Sequence, residues 1–384
     1  MPTENSRRFF HAARRAPLGV AALAGGLALA LSVSSVAGAA APGGSLSANL
    51  TKTPAASLTG VGSSSIQPFY GRVLYQYSKV NKKVSVTYSP SGSGPGVVAV
   101  EQNTASFGQS EVPMTAAQQA LAKGPVLQVP VDLGGIALSY HVTGVKAGLK
   151  LSGPVLAQIY LRQITTWNAP AIAALNPKVK LPSENIVPVF RSDTSGPGYD
   201  LDQYLIDTDP AWATGAAGKA STTWPTEGRA SGDTGEQLNS GVATYIEQTE
   251  GAIGYVEYAY SSLSKFTDAA LLSHSKTYVA PSISTISNAA TQAKNVSASN
   301  FNLVWGPGAQ TYPLANFSWA IVYQEQSNTN TGIVLGKLFT WVTTTGQTYS
   351  KALGYVPLPK VIVTLDHTTL LQLETAAGQK IFKG

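Results

Sequence analysis

The chain has 384 residues, 43% of them hydrophobic and only 12% charged, which supplies a sizeable core, suits two domains or two lobes, and excludes a chain disordered throughout. The formal charge is +6, but residues 1–39 carry four Arg and one Glu, and the remainder holds 22 basic against 19 acidic residues, so nothing marks a nucleic-acid partner. There is no cysteine, which excludes disulfides, thiolate metal sites, a Cys nucleophile and a lipid-modified Cys anchor.

Arg7, Arg8, Arg14 and Arg15 form a basic start, residues 19–31 are rich in Gly, Ala and Leu, and Ala37-Gly38-Ala39 supplies small residues for cleavage. This is the pattern of a secretory signal peptide over residues 1–39. Ser6-Arg7-Arg8-Phe9-Phe10 also fits a twin-arginine signal, so both export routes stay open. Residues 40–57 read as a flexible Ala/Pro/Gly/Ser/Thr spacer. No later stretch has 18 uncharged apolar residues, so the mature chain is expected to be exported and soluble, in the periplasm or outside the cell.

From residue 58 onward, short apolar runs alternate with amphipathic stretches, the pattern of an α/β protein. Phe69, Val73, Leu74 and Tyr77 recur at helical spacing and predict a helix over 69–80; the alternation in VSVTY predicts a strand over 84–88. Helices are expected over 95–102 and 115–121, and strands over 105–108, 126–131 and 135–141. Helical segments over 154–160 and 169–175 precede a buried strand over 186–190 and a helix over 198–206. Residues 208–240 read as a long, loop-dominated excursion. A helix over 241–248, a strand over 253–255 and a short helix over 257–263 lead to a polar region over 273–311. The chain closes with a strand over 317–323, a helix over 331–342 and a last helix over 364–380.

Three Ser/Gly-rich turns each join an extended segment to a helix: Gly60-Val61-Gly62-Ser63-Ser64-Ser65, Ser91-Gly92-Ser93-Gly94-Pro95-Gly96, and Arg191-Ser192-Asp193-Thr194-Ser195-Gly196-Pro197-Gly198. Helix starts expose unpaired N–H groups and the positive end of the helix dipole, and glycine lets a ligand come close to the backbone. Three such turns converging would hold an oxyanion without a metal; ordinary helix capping by Ser and Thr is the other reading. Arg191 ends the apolar run over 186–190, where a guanidinium needs a partner, and Asp193 is placed to orient it. Its planar fork suits a phosphate-like ligand; a surface ion pair is the alternative. No G-x-S-x-G elbow, H-E-x-x-H or Walker loop is present. His141, His274 and His367 are widely spaced and fit no metal pattern, and no cofactor or catalytic residue is expected.

At these residues the chain resembles the extracytoplasmic phosphate-binding proteins of bacterial phosphate ABC transporters. Leu58-Thr59-Gly60-Val61-Gly62-Ser63-Ser64 is similar to that family's LTGAGA[ST] opening, and Phe107-Gly108-Gln109-Ser110-Glu111-Val112-Pro113 to its FGASDAP segment. Pro130 with Gly134-Gly135 resembles the P-x-x-x-G-G crossing strand, and Ile159-Tyr160-Leu161 with Ile164, Thr166, Trp167 and Asn168 resembles IYLGKIKKWND. Arg191-Ser192-Asp193-Thr194-Ser195-Gly196 resembles R-[AS]-D-G-S-G, and residues 251–260, GAIGYVEYAY, are nearly the family's own string.

The resemblance implies an α/β, two-lobed periplasmic-binding-protein-like fold with two hinge crossings and an interlobe cleft. Lobe one would comprise residues 58–131 and 313–384, and lobe two residues 132–312. It further implies phosphate contacts at Ser64, Ser65, Ser93, Glu111, Arg191, Ser195 and Gly196, with Asp193 in support. Three positions depart from the family: its ligand-facing Asp is Glu111, its Thr after Ser-Gly is Pro197, and its first-turn aromatic is Ser65. The implied function is capture of inorganic phosphate and delivery to ABC permease subunits, by a monomer that is not an enzyme. The alternatives are a same-fold binder of another oxyanion or a phosphate ester, a surface protein that keeps the fold without transport, and a secreted phosphatase.

Overall fold

A computed structural model describes residues 53–216, 218–225, 234–292 and 295–382. The expected signal peptide, and the expected spacer up to residue 52, lie outside the described residues. The first part of the chain forms β1 (Ala56–Gly62), α1 (Gln67–Val80), β2 (Val84–Pro90), α2 (Ser93–Glu101), β3 (Phe107–Ser110), α3 (Ala116–Gln119) and β4 (Val126–Tyr140). It continues through β5 (Lys150–Leu151), α4 (Gly153–Tyr160), α5 (Pro170–Leu175), β6 (Val187–Arg191), α6 (Gly196–Thr208), α7 (Pro210–Gly215), β7 (Thr234–Glu236) and α8 (Leu238–Gln248). Then come β8 (Ala252–Glu257), α9 (Tyr258–Ser264), β9 (Thr267–Asp268), β10 (Ala270–Leu272), β11 (Tyr278–Val279) and α10 (Ile283–Gln292). The chain ends with β12 (Ala315–Tyr323), β13 (Glu325–Gln326), α11 (Thr329–Thr343), two short 3-10 turns, α12 (Lys360–Leu370) and β14 (Glu374–Thr375).

The main sheet runs β2-β1-β3-β12-β4-β8-β6-β7, with β9 also on β4. Strands β2, β1 and β3 are mutually parallel, as are β8, β6 and β7, whereas β12 is antiparallel to both of its neighbours. Two expected strands, over 126–131 and 135–141, are one continuous strand. β12 pairs with the first part of β4 up to Gly135, and β8 takes over at Ile136, so the hydrogen-bond ladder passes from one partner to the next without a break. The register of β12 on β4 shifts between Ser318 and Trp319, as at a β-bulge.

Two apolar cores flank this strand. One gathers Leu58, Phe69, Tyr77, Phe107, Val131, Ala320 and Phe339. The other gathers Leu133, Ile136, Trp167, Leu201, Tyr255, Phe317 and Trp319. The changeover falls between Val131 and Leu133 on β4 and between Trp319 and Ala320 on β12. Each fully buried large side chain contributes about 1.5–3 kcal/mol relative to exposure, so each core is substantial without the other.

Several boundaries differ from expectation. β1 starts at Ala56, whose N–H donates to the Lys83 carbonyl at 3.2 Å, so the last residues of the expected spacer are already strand. α7 and β7 lie inside the stretch expected to be loop, and α10 inside the polar region over 273–311. The last helix begins at Lys360 and ends at Leu370, earlier than expected, because the chain turns back to pair Glu374 with Glu325.

Candidate functional site

The parallel arrangement puts the ends of β1, β2 and β3 side by side, and helices that start there point their N-termini at one place. The first and second turns are laced together: the Gly62 carbonyl accepts from Ser91 N–H at 2.7 Å and from Gly92 N–H at 3.0 Å, and Ser63 N–H donates to the Gln109 carbonyl at 2.9 Å. Three successive carbonyls of the first turn are held by tyrosines. The hydroxyls of Tyr88, Tyr260 and Tyr355 donate to the carbonyls of Ser63, Ser64 and Ser65 respectively. With its carbonyls tied back, this turn is left with hydroxyl groups to offer.

Glu111 follows β3 and is buried. Its two carboxylate oxygens accept from the hydroxyls of Ser63 and Ser93, the latter at 2.7 Å. The extra methylene relative to Asp is accommodated by Gly196, since a Cβ there would run into the Glu111 carboxylate. Burial raises the Glu111 pKa above the usual range, while the hydroxyls of Ser63, Ser93 and Ser65 and the charge of Arg191 pull it back.

Arg191 is the last residue of β6 and is 2% exposed. Asp193 receives it in two hydrogen bonds, Nε to Oδ1 at 2.6 Å and Nη2 to Oδ2. Nη1 is buried with no hydrogen-bond partner. A guanidinium nitrogen in that state is costly, and it is where an anion would bind. Ser195 caps α6, its Oγ accepting from Gly198 N–H at 3.1 Å, which leaves its O–H free to donate elsewhere. Pro197 removes one of the N–H groups that this helix start would otherwise present.

The second and third turns meet: Gly94 N–H donates to the Thr194 carbonyl at 3.5 Å. α8 ties the first turn to the third. Leu238 N–H donates to Asp193 Oδ1 at 3.0 Å, with Leu238 in a left-handed conformation (φ 61°) that costs such a residue about 1–3 kcal/mol. Asn239, next along α8, donates to the hydroxyls of Ser64 and Ser65. Ser64, Ser65, Ser93, Glu111, Arg191, Asp193, Ser195 and Gly196 are therefore brought into one neighbourhood.

Sequence reasoning missed four residues here: Asn239, and the buried acids Asp132 on β4, Asp200 on α6 and Glu257 on β8. Burial raises the pKa of all three acids well above the carboxylate range, and each feels the others or Glu111 as a like charge. Glu257 accepts from Gly135 N–H at 3.0 Å and Asp200 from Asn316 Nδ2 at 3.0 Å, whereas Asp132 Oδ1 has no partner. Arg191 opposes this negative potential at Glu111, while burial keeps the three acids protonated at acidic pH, so the site can host an anion. A buried acid carries no local sequence signal, but Asp132 within an otherwise apolar strand was a visible irregularity. Among the described residues, no group of three or more His, Asp or Glu side chains is placed to hold a metal ion.

A PBP superfamily domain model matches residues 47–345, most of the chain. A phosphate-binding protein PstS of Xylella fastidiosa is 32% identical over 330 residues, covering 84% of this chain and 88% of the relative. The chain belongs to the PstS phosphate-binding protein family. The PstS of Pasteurella multocida is 33% identical over 314 residues, covering 81% of this chain and 89% of that one. Among solved structures, a high-affinity periplasmic phosphate-binding protein, PfluDING, bound with phosphate, aligns with a TM-score of 0.65 at 20% identity, covering 82% of this chain and 93% of that chain. A phosphate-binding protein from Stenotrophomonas maltophilia aligns with a TM-score of 0.65 at 18% identity, covering 82% and 94%. At those identities the structural matches establish the two-lobed fold. Among the described residues, no helix of this PstS-family chain is long and apolar enough to cross a membrane.

Proposed function

We propose that this chain captures inorganic phosphate between its two lobes and delivers it to the permease subunits of an ABC transporter, as an exported monomer that catalyses no reaction. The lobes are taken as residues 58–131 with 313–384 and residues 132–312; the changeover of apolar core between Val131 and Leu133 on β4 supports the first crossing, whereas Leu314, Phe317, Trp319, Val356, Leu358 and Ile362 pack into the core of the second lobe. The observation that carries the ligand reading is Arg191 Nη1, buried and unpartnered on a guanidinium that Asp193 already fixes. The hydroxyls of Ser64, Ser65 and Ser195 and the N–H of Gly196 add donors, and Glu111, which Ser63 and Ser93 hold in place, supplies an acceptor. That set matches hydrogen phosphate, which has unprotonated oxygens to receive donors and one proton to give. Calorimetric titration of the purified protein with phosphate, sulfate and arsenate tests the reading. Tight phosphate binding with weak sulfate binding is expected, and no heat with phosphate would overturn it.

A second reading rests on a cavity of about 360 Å3 beside Ser93, lined also by Gly94, Val97, Tyr199, Ser221 and Thr222. It is large enough for the organic part of a small phosphate ester. Competition between phosphate and a simple phosphomonoester separates the two: displacement at similar concentrations would favour the ester.

A further inference from the structure

Asn239 is fully buried at the start of α8 and makes four hydrogen bonds. Its Oδ1 accepts from Glu257 N–H at 2.8 Å. A backbone N–H can only donate, so this bond fixes which end of the amide is oxygen and turns Nδ2 toward the first turn. Nδ2 donates to Ser64 Oγ and to Ser65 Oγ, both at 3.0 Å, and the Asn239 backbone N–H donates to Ser64 Oγ at 3.1 Å. The Ser64 hydroxyl therefore accepts twice, which fills both of its lone pairs. Its remaining capacity is its own O–H, which donates to no other group among the described residues.

Ser64 follows β1 in one half of the sheet, and Asn239 follows β7 in the other. These bonds exist only when the two halves are together. We propose that Asn239 is a positioning residue of the phosphate site: on closure it occupies the acceptor side of the Ser64 hydroxyl and constrains that of Ser65, making Ser64 an obligate donor aimed at the bound anion. The inference rests on the phosphate reading and deepens it. An obligate donor favours an unprotonated ligand oxygen over a protonated one, because the charged oxygen is the stronger acceptor. The ligand's proton is thereby directed away from the first turn and toward Glu111, whose carboxylate is the acceptor. Asn239 thus fixes which way round a singly protonated anion sits, without touching it.

The test is a double-mutant cycle read by calorimetric titration with inorganic phosphate. Asn239→Ala in the wild-type background is expected to weaken phosphate binding about 10- to 100-fold, the range of a charge-assisted hydrogen bond. In a Ser64→Ala, Ser65→Ala background the same change is expected to cost no more than about threefold, because the hydroxyls through which Asn239 acts are gone. The bond to Glu257 is lost in both backgrounds and cancels. Equal losses in the two backgrounds, or no loss in the first, overturn the proposal. If Asn239→Ala does not fold, Asn239→Asp carries the same cycle: it keeps the size and the acceptor for Glu257 N–H but presents an acceptor to the serines, which then donate to it instead of the ligand. A wild-type protein that binds no phosphate would instead sink the functional reading, so the two failures are distinct.

Discussion

Glu111→Gln keeps the side-chain length and removes the charge. In the native chain both Glu111 oxygens accept hydroxyl protons, from Ser63 and Ser93, and a ligand proton would add a third bond to the same carboxylate. Hydrogen phosphate has that proton. Sulfate does not, and its oxygen would meet a buried carboxylate that is 1% exposed. A buried carboxylate facing a like-charged oxygen, with the bond through the ligand's proton forfeited, costs about 1–3 kcal/mol or more, which corresponds to a roughly 10- to 100-fold preference for phosphate. Gln presents an amide N–H on one side and tolerates the fully ionised anion, so the phosphate-to-sulfate affinity ratio is expected to fall by about tenfold or more. Burial raises the Glu111 pKa, which adds a pH signature. As pH falls through that raised value the native carboxyl gains a proton, becomes a donor and loses its discrimination; as pH rises the discrimination grows. The variant, measured at each pH alongside the native protein, cancels the titration of the ligand itself. Calorimetry with both anions across a pH series that starts near the ordinary carboxylate pKa of about 4 reads both effects. An affinity ratio equal in the two proteins across that series would mean that Glu111 is not the proton acceptor.

Arg191→Ala removes the unpartnered Nη1 and leaves Asp193 without its guanidinium, held by the Leu238 N–H alone, so phosphate affinity is expected to drop at least about tenfold together with the melting temperature, and Arg191→Lys should restore neither, because one ammonium cannot serve Asp193 and the ligand as a fork; native affinity in either variant would remove Arg191 from the site. The raised carboxyls of Asp132, Asp200 and Glu257 hold protons that the unfolded chain releases above its ordinary carboxylate pKa of about 4. Their contribution to stability is complete below that pKa and is lost as pH rises through the raised values, so denaturant midpoints should fall from about pH 4 upward, and a rise over that interval would contradict the assignment. Starting the chain at Leu58 rather than at Thr53 is expected to lower the melting temperature by about 2–4 °C per kcal/mol lost, since Thr53 is buried and Ala56 pairs with Val84; an unchanged melting curve would show that these residues add nothing.

Much of the fold could be read locally because the signals were local. Phe69, Val73, Leu74 and Tyr77 face one core from one helix, and AIGYVE forms a strand buried at every position. α10 escaped notice because ISTISNAATQ is rich in Ser, Thr and Asn, residues that compete with the helix for backbone bonds; Ile286 and Ala289 commit it by packing into a core that also holds Leu133, Ile136, Trp167 and Leu201, far off in sequence. The union of two expected strands into β4 depended on β12 and β8, which supply the ladder from more than a hundred residues away. The site divided the same way. Ser64, Ser93, Arg191 and Ser195 announced themselves as turn residues at helix starts. Asn239 resembles any polar residue in a first helical turn, and its importance comes entirely from the serines that it meets across the fold.

The place of β12 has a consequence for how the chain is made. β12 lies between β3 and β4, yet it is built from residues 315–323, long after both of its neighbours. Until it arrives, the sheet that begins with β1 has an open slot at its middle, bordered by the unsatisfied backbone of β3 on one side and of β4 on the other. The segment from β4 to α10 is contiguous and can gather its own core first. The earlier segment cannot finish, and it presents two bare strand edges of the kind that pair with other chains. A nascent chain therefore passes through a period when β3 and β4 stand with bare edges, and that period ends with the insertion of the nine residues of β12.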